Sequence, residues 1–133
     1  MIVQKILVEK YNWTIYVYCF PKTKEEINKI ISHLNRYNCP VEDVRYIKSA
    51  IPRKKDIAFT YTLADSNISI IGISETTSCN ELTNSIIHEL NHVKISILEK
   101  FNIKYNGEEA AYLIGELARE AHKLIEMCIL SRP

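Results

Sequence analysis

The chain has 133 residues, of which 47% are apolar and 25% are charged. A chain of this length is typical of one domain and can bury roughly two thirds of the surface that it exposes when unfolded. We therefore expect a single domain over residues 1–133 that needs neither disulfides nor a structural metal to stay folded. The composition excludes disordered, collagen-like and coiled-coil proteins.

Seventeen Lys and Arg residues balance 16 Asp and Glu residues, so the formal charge is +1. This balance gives no electrostatic reason to expect nucleic acid or a membrane as a partner. The four cysteines are scattered and form no CxxC pair, which excludes a zinc ribbon and favours reduced thiols in a cytoplasmic protein. No apolar run approaches the length of a signal or membrane-spanning segment.

The first half of the chain predicts a hairpin and one helix. Residues 2–8 and 13–20 are rich in β-branched and aromatic types and are joined by a short polar break. Thr23 and Glu26 form a capping box, and apolar residues at helical spacing follow it. Residues 40–56 contain two prolines and a basic run without a sustained period, so we expect a loop with at most one helical turn.

The second half predicts another hairpin and two further helices. Residues 57–63 and 68–74 form the hairpin, and the helix that follows begins at a second capping box and runs to about Lys100. Asn106 and Gly107 begin the last helix. The expected fold class is α+β, with a small antiparallel sheet of two hairpins packed against three helices.

The helix that ends near Lys100 contains His88-Glu89-Leu90-Asn91-His92, an HExxH pattern. Four residues turn a helix by about 400°, so His88 and His92 lie on one face and can bind one ion. Glu89 is placed to contact a water on that ion and to act as a general base. The alternative is a pair of surface histidines on an amphipathic helix.

A catalytic zinc ion has three protein ligands, so a third ligand is expected elsewhere. One known solution requires a glycine at position 95 and a histidine at position 98, which here are Ile95 and Leu98. A glutamate of the last helix remains, either Glu108 or Glu109.

If Asn106 is the N-cap, Glu109 caps its own helix, which favours Glu108 as the ligand. Glu108 shares a helix face with Ala111, Tyr112 and Gly115, and the small residues on that face would allow close helix packing. Otherwise both acids only complement the helix dipole.

Together, Ser85-x-x-His88-Glu89-x-x-His92 and Glu108-x-x-Ala111-Tyr112-x-x-Gly115 resemble the gluzincin group of zinc metallopeptidases, in particular small single-domain forms from bacteria and their phages. The resemblance covers residues 68–116. It implies a zincin-like fold, His88, His92 and Glu108 as zinc ligands, and Glu89 as the base.

Tyr112 departs from this pattern, because gluzincins often carry Asp or Asn at that place. A phenol there can hydrogen-bond a ligand or the reacting carbonyl. In zincins the strand nearest the site pairs with the peptide substrate, which would assign this role to the backbone from Ile70 to Ser74; an ordinary core strand is the alternative. His122 is a reserve ligand or an exposed histidine.

The sequence thus predicts a zinc-dependent metallopeptidase with a peptide or protein substrate, and it leaves the oligomeric state open. Two other interpretations stay open. The first is a non-catalytic zinc-binding or protein-interaction domain, because 133 residues leave no room for a second subdomain to wall a cleft. The second is a metal-free helical scaffold.

Overall fold

A computed structural model describes residues 1–131. Its strands are Ile2–Val8 (β1), Trp13–Cys19 (β2), Ala58–Leu63 (β3) and Ile68–Ile73 (β4). Its helices are Lys24–Arg36 (α1), Val41–Ala50 (α2), Cys79–Lys100 (α3) and Glu108–Leu130 (α4). None of the described helices combines the length and the hydropathy needed to cross a bilayer. The fold class is α+β, as predicted.

The four strands form one mixed sheet in the order β1-β2-β4-β3. Both predicted hairpins are confirmed, since β1 pairs with β2 and β3 pairs with β4 in antiparallel fashion. The prediction of a wholly antiparallel sheet is wrong, because β2 and β4 are parallel neighbours. Parallel strands need a long connection, and α1, α2 and β3 supply it here. The second hairpin therefore enters the sheet with β4 inside and β3 at the edge.

Each face of the sheet is covered by two helices. On one face, Trp13, Ile15 and Ile71 pack with the buried residues of α3 and α4. On the other face, Tyr18 and Ile70 pack with the buried residues of α1 and α2. The alternation of side chains along each strand assigns neighbouring residues to these two cores. The sheet is thus the middle of three layers.

The predicted starts of α1 and α3 are confirmed by their caps, although only the cap of α1 is a complete capping box. Thr23 Oγ1 accepts a hydrogen bond from the Glu26 backbone N–H at 3.1 Å, and the Glu26 carboxylate accepts one from the Thr23 N–H at 3.0 Å. At the start of α3, Ser78 Oγ accepts from the Glu81 N–H at 3.1 Å. These bonds satisfy N–H groups that the helices themselves leave free.

The loop predicted for residues 40–56 is wrong over its first half, where the ten residues of α2 form. Pro40 is the N-cap of this helix, a place where its missing N–H does no harm. Ile47 and Ala50 are its buried residues, a stripe too short to reveal a helical period. The prolines that suggested a loop mark the two ends of a short helix.

Gly72 in β4 lies directly opposite Phe59 in β3, and a Cβ atom at position 72 would overlap the Phe59 ring. We expect Gly72→Ala to lower the free energy of unfolding by about 1–3 kcal/mol, because the ring must leave its place. Urea denaturation measures the change.

Gly115→Ala is the matched control, since nothing lies within 4 Å of a Cβ atom added there. In the middle of α4 this substitution should stabilise the protein by about 0.5–1 kcal/mol. A Gly72→Ala variant as stable as the parent would contradict the close approach of Phe59.

Candidate metal centre

The two histidines of the HExxH pattern converge at the surface of α3. The Nε2 atoms of His88 and His92 are 3.3 Å apart, and the ring centroids are 5.0 Å apart. Both side chains are exposed. The one-turn spacing of the helix brings the rings together, so the two Nε2 atoms lie close to each other.

This separation matches the geometry of a tetrahedral ion. Two ligands bonded at about 2.0–2.1 Å, with a tetrahedral angle between them, are about 3.3–3.4 Å apart. A hydrogen bond from one ring to the other also fits the distance, if one Nε2 carries a proton. The separation of the two nitrogens is therefore one that a tetrahedral ion would accept.

Glu89 lies between this pair of histidines and the sheet. It is only 6% exposed. The residue before it, His88, is exposed, and the residue after it, Leu90, is buried. The Thr60 hydroxyl of β3 donates to Glu89 Oε1 at 2.9 Å. The second carboxylate oxygen, Oε2, lies 3.8 Å from His88 Nε2. One oxygen is therefore held by the sheet while the other faces the imidazoles.

The ligand atoms of His88, Glu89 and His92 all lie within 4.8 Å of one another. Among residues 1–131 this is the one group of three such side chains that could hold a metal ion. We call it the His-Glu-His group. Its two nitrogens and one carboxylate form a donor set that suits zinc and other first-row divalent ions.

The strand beside the His-Glu-His group is β3, which lies at the edge of the sheet. The assignment of a substrate-pairing role to residues Ile70–Ser74 is wrong, because β4 lies between β2 and β3 and pairs with both. The free strand edge next to the histidines belongs instead to β3, the other half of the same hairpin.

The structure does not bring Glu108 to the His-Glu-His group. Gly107, not Asn106, is the N-cap of α4, so Glu108 is its first residue. Glu108 precedes the buried Leu117 by nine residues, which places it about 180° away on the helix. It therefore faces outward with Ala111, Tyr112 and Gly115, and Tyr112 is 77% exposed.

A different face of α4 packs against α3. Ile114, Leu117 and Ala118 of α4 line a groove of about 150 Å³ with four residues of α3, namely Ile87, Leu90, Asn91 and Lys94. None of these belongs to the His-Glu-His group. The small residues at 111 and 115 thus do not mediate the contact between the two helices.

Glu109 has a separate structural role. It accepts a hydrogen bond from the Tyr11 hydroxyl at 2.8 Å and forms an ion pair with Lys10 at 3.0 Å. The hydrogen bonds from Lys10 and Tyr11 lower the pKa of Glu109. Burial, followed by the bond to Glu109, raises the pKa of Tyr11 to about 12. Glu109 therefore connects the start of α4 to the turn between β1 and β2.

The other candidate, His122, lies with its Nε2 atom 3.2 Å from Glu126 Oε1 on the same helix and does not belong to the His-Glu-His group. Thr60 is the site residue that the sequence analysis missed. Its signal was the alternation in Ala58–Leu63, where small or polar residues occupy one face and Phe59 and Tyr61 the other.

We expect His88→Gln and His92→Gln each to weaken Zn²⁺ binding by more than about 100-fold, since even the partners of metal ligands contribute 10- to 100-fold. Competition with a chromogenic chelator measures the affinity. His122→Gln and Glu108→Gln are matched controls and should bind Zn²⁺ as the parent does. A comparable loss in Glu108→Gln would show that α4 supplies a ligand after all.

No protein family model, curated protein or solved structure matches the chain. The His-Glu-His group and the strand beside it are therefore the features of the chain that bear on its function.

Proposed function

We propose that this protein is a zinc-dependent peptidase in which His88 and His92 bind the ion and Glu89 is the general base. Among residues 1–131 no further His, Cys, Asp or Glu joins this group, so the other coordination positions would be open to water and substrate. The observation that carries the proposal is the convergence of the two Nε2 atoms at 3.3 Å beside a buried carboxylate. Two histidines on an exposed helix face do not by themselves require a buried acid beside them. Burial of a carboxylate costs free energy unless the group is paired or hydrogen-bonded.

Zinc, when bound, polarises a carbonyl group and lowers the pKa of a water towards about 7. The residues of the chain supply the proton transfers. Glu89 Oε2 accepts a proton from the water that attacks the peptide carbonyl, and it then delivers that proton to the leaving amine as the C–N bond breaks. The Thr60 hydroxyl holds Oε1, so the carboxylate keeps a fixed direction through both steps.

The free edge of β3 supplies the means of holding a peptide. An extended chain can pair with an exposed strand edge through backbone hydrogen bonds, whatever its side chains. Because Thr60 is both a residue of β3 and a partner of Glu89, a peptide paired there lies beside the proposed base. This arrangement favours peptide bonds over other carbonyl substrates.

A second function is favoured by the distance of 3.8 Å between Glu89 Oε2 and His88 Nε2. Glu89 Oε2 is near enough to the imidazoles that Glu89 could itself be the third ligand after a small rotation. The carboxylate would then be bonded to the ion and unavailable as a base. The protein would be a non-catalytic metal-binding domain, in which the ion stabilises the surface of α3 or recruits a partner.

Glu89→Gln separates the two functions, because glutamine has nearly the same shape and keeps an oxygen for Thr60. If Glu89 is the base, hydrolysis of a peptide library by the zinc-loaded protein should fall by about 10²–10⁴-fold. Zinc affinity and the unfolding transition should stay as in the parent. Glu99→Gln, an exposed acid on the same helix, is the matched control and should keep full activity.

Two outcomes would contradict the peptidase proposal. A Glu89→Gln variant that hydrolyses peptides as fast as the parent would show that Glu89 is not the base. A parent that binds zinc but cleaves no peptide, together with a large loss of zinc affinity in Glu89→Gln, would favour the non-catalytic function.

A further inference from the structure

The backbone of β3 has a defined free side. Ile57 C=O accepts from the Ser74 N–H at 2.9 Å, so this pair is hydrogen-bonded. Because such pairs alternate in an antiparallel ladder, Phe59 and Tyr61 also direct their backbone groups to β4. Thr60 therefore directs its backbone N–H and C=O outward, to the free edge.

A peptide residue that pairs with Thr60 shares the face of the Thr60 side chain. In an antiparallel pair, directly opposite side chains lie on the same face, and the residues before and after point to the other face. The Thr60 side chain points to Glu89. The two neighbours of that peptide residue therefore point to the opposite face of the sheet, where α2 lies.

On that opposite face there is a pocket of about 210 Å³ between β3 and α2. Its walls are mainly apolar, with Phe59 and Tyr61 from the strand and Tyr46 and Ile47 from the helix. Thr60 also lines the pocket, although its side chain points the other way. The pocket therefore reaches the free edge of β3, where a paired peptide would lie.

Lys54 Nζ lies 5.9 Å from the centroid of the Tyr46 ring in the wall of this pocket, and the one acidic residue among the lining residues is Asp43. It is exposed, and none of the ion pairs among residues 1–131 includes it. Burial, followed by the charge of Asp43, raises the pKa of Cys39 in the pocket wall to about 11, so the thiol stays neutral. An apolar wall with one carboxylate at its mouth matches a long apolar side chain that ends in a cation.

We propose that the pocket between β3 and α2 binds a lysine or arginine side chain of an extended peptide paired with the β3 edge. This side chain lies one residue from the peptide position opposite Thr60. The proposal rests on the proposed function, since it assigns a substrate preference to the same strand edge. The protein would select peptides with a basic residue adjacent to the position nearest the His-Glu-His group.

The test is peptide binding to the zinc-loaded, full-length Glu89→Gln protein, followed by fluorescence anisotropy. The probes are three fluorescein-labelled nonapeptides of threonine and valine that differ at one central residue: lysine, norleucine or glutamate. The lysine peptide should bind about threefold to fivefold more tightly than the norleucine peptide, the range of an exposed ion pair. The glutamate peptide should bind more weakly than both.

Asp43→Asn should abolish the preference for lysine and leave the affinity for the norleucine peptide unchanged. Glu42→Gln, the adjacent acid on α2 that does not line the pocket, is the matched control and should keep the preference. Ala58→Pro removes an N–H group that the same alternation directs outward, so it should weaken binding of all three peptides. Circular dichroism checks that each variant is folded.

Equal affinities for the lysine and norleucine peptides would overturn the proposal, and so would the absence of binding by all three. A preference for lysine that survives in Asp43→Asn would do the same. The peptidase proposal fails separately: if the lysine preference depends on Asp43 but the parent cleaves none of the peptides, the pocket stands and the catalysis does not. If the parent cleaves the peptides without a preference for lysine, the peptidase proposal stands and the pocket proposal fails.

Discussion

The burial of one stripe of α3 fixes the rotation of that helix about its axis. Leu82, Ile86, Val93 and Ile97 are almost fully buried against the sheet and α4. With that stripe held in the core, the 100° step per residue places Glu89 at its border. The same step carries His88 and His92 beyond the border into solvent. The exposed imidazoles and the buried carboxylate are therefore two consequences of one packing constraint.

The position of β3 then determines what surrounds this helix face. Because β4 enters the sheet in parallel beside β2, β3 is left at the edge and passes next to Glu89. One face of the strand contacts the His-Glu-His group and the other contacts α2. A peptide paired with this edge would direct side chains to both faces of the strand. Those on one face would lie near the His-Glu-His group, and those on the other would reach the pocket between β3 and α2.

Local features of the fold could be predicted from the sequence, and the arrangement of the hairpins could not. The Thr23–Glu26 cap and the strand alternation depend on residues close in the chain, so their patterns are visible. The parallel pairing of β2 with β4 joins residues more than 50 positions apart, such as Thr14 and Ile68. The near-continuous apolar run of β4 is typical of an interior strand, but it does not specify which strand pairs with it.

The candidate site also has one part that the sequence predicts and another part that depends on the folded arrangement. The convergence of His88 and His92 follows from helical spacing alone, and the structure brings them together with Glu89. The spacing along α4 predicts which residues share a helix face with Glu108, but it does not predict where that face points. Thr60 comes from a strand 29 residues away in sequence, and only the folded sheet places it at Glu89.

The most direct test of the account is an anomalous difference map, collected at the zinc absorption edge, from crystals of the zinc-loaded protein. We expect one peak at bonding distance, about 2.0–2.1 Å, from Nε2 of both His88 and His92. We also expect Glu89 Oε1 to keep its hydrogen bond from Thr60 and neither Glu89 oxygen to be bonded to the ion. A zinc ion bound elsewhere, or two imidazoles that point away from a shared ion, would contradict the account.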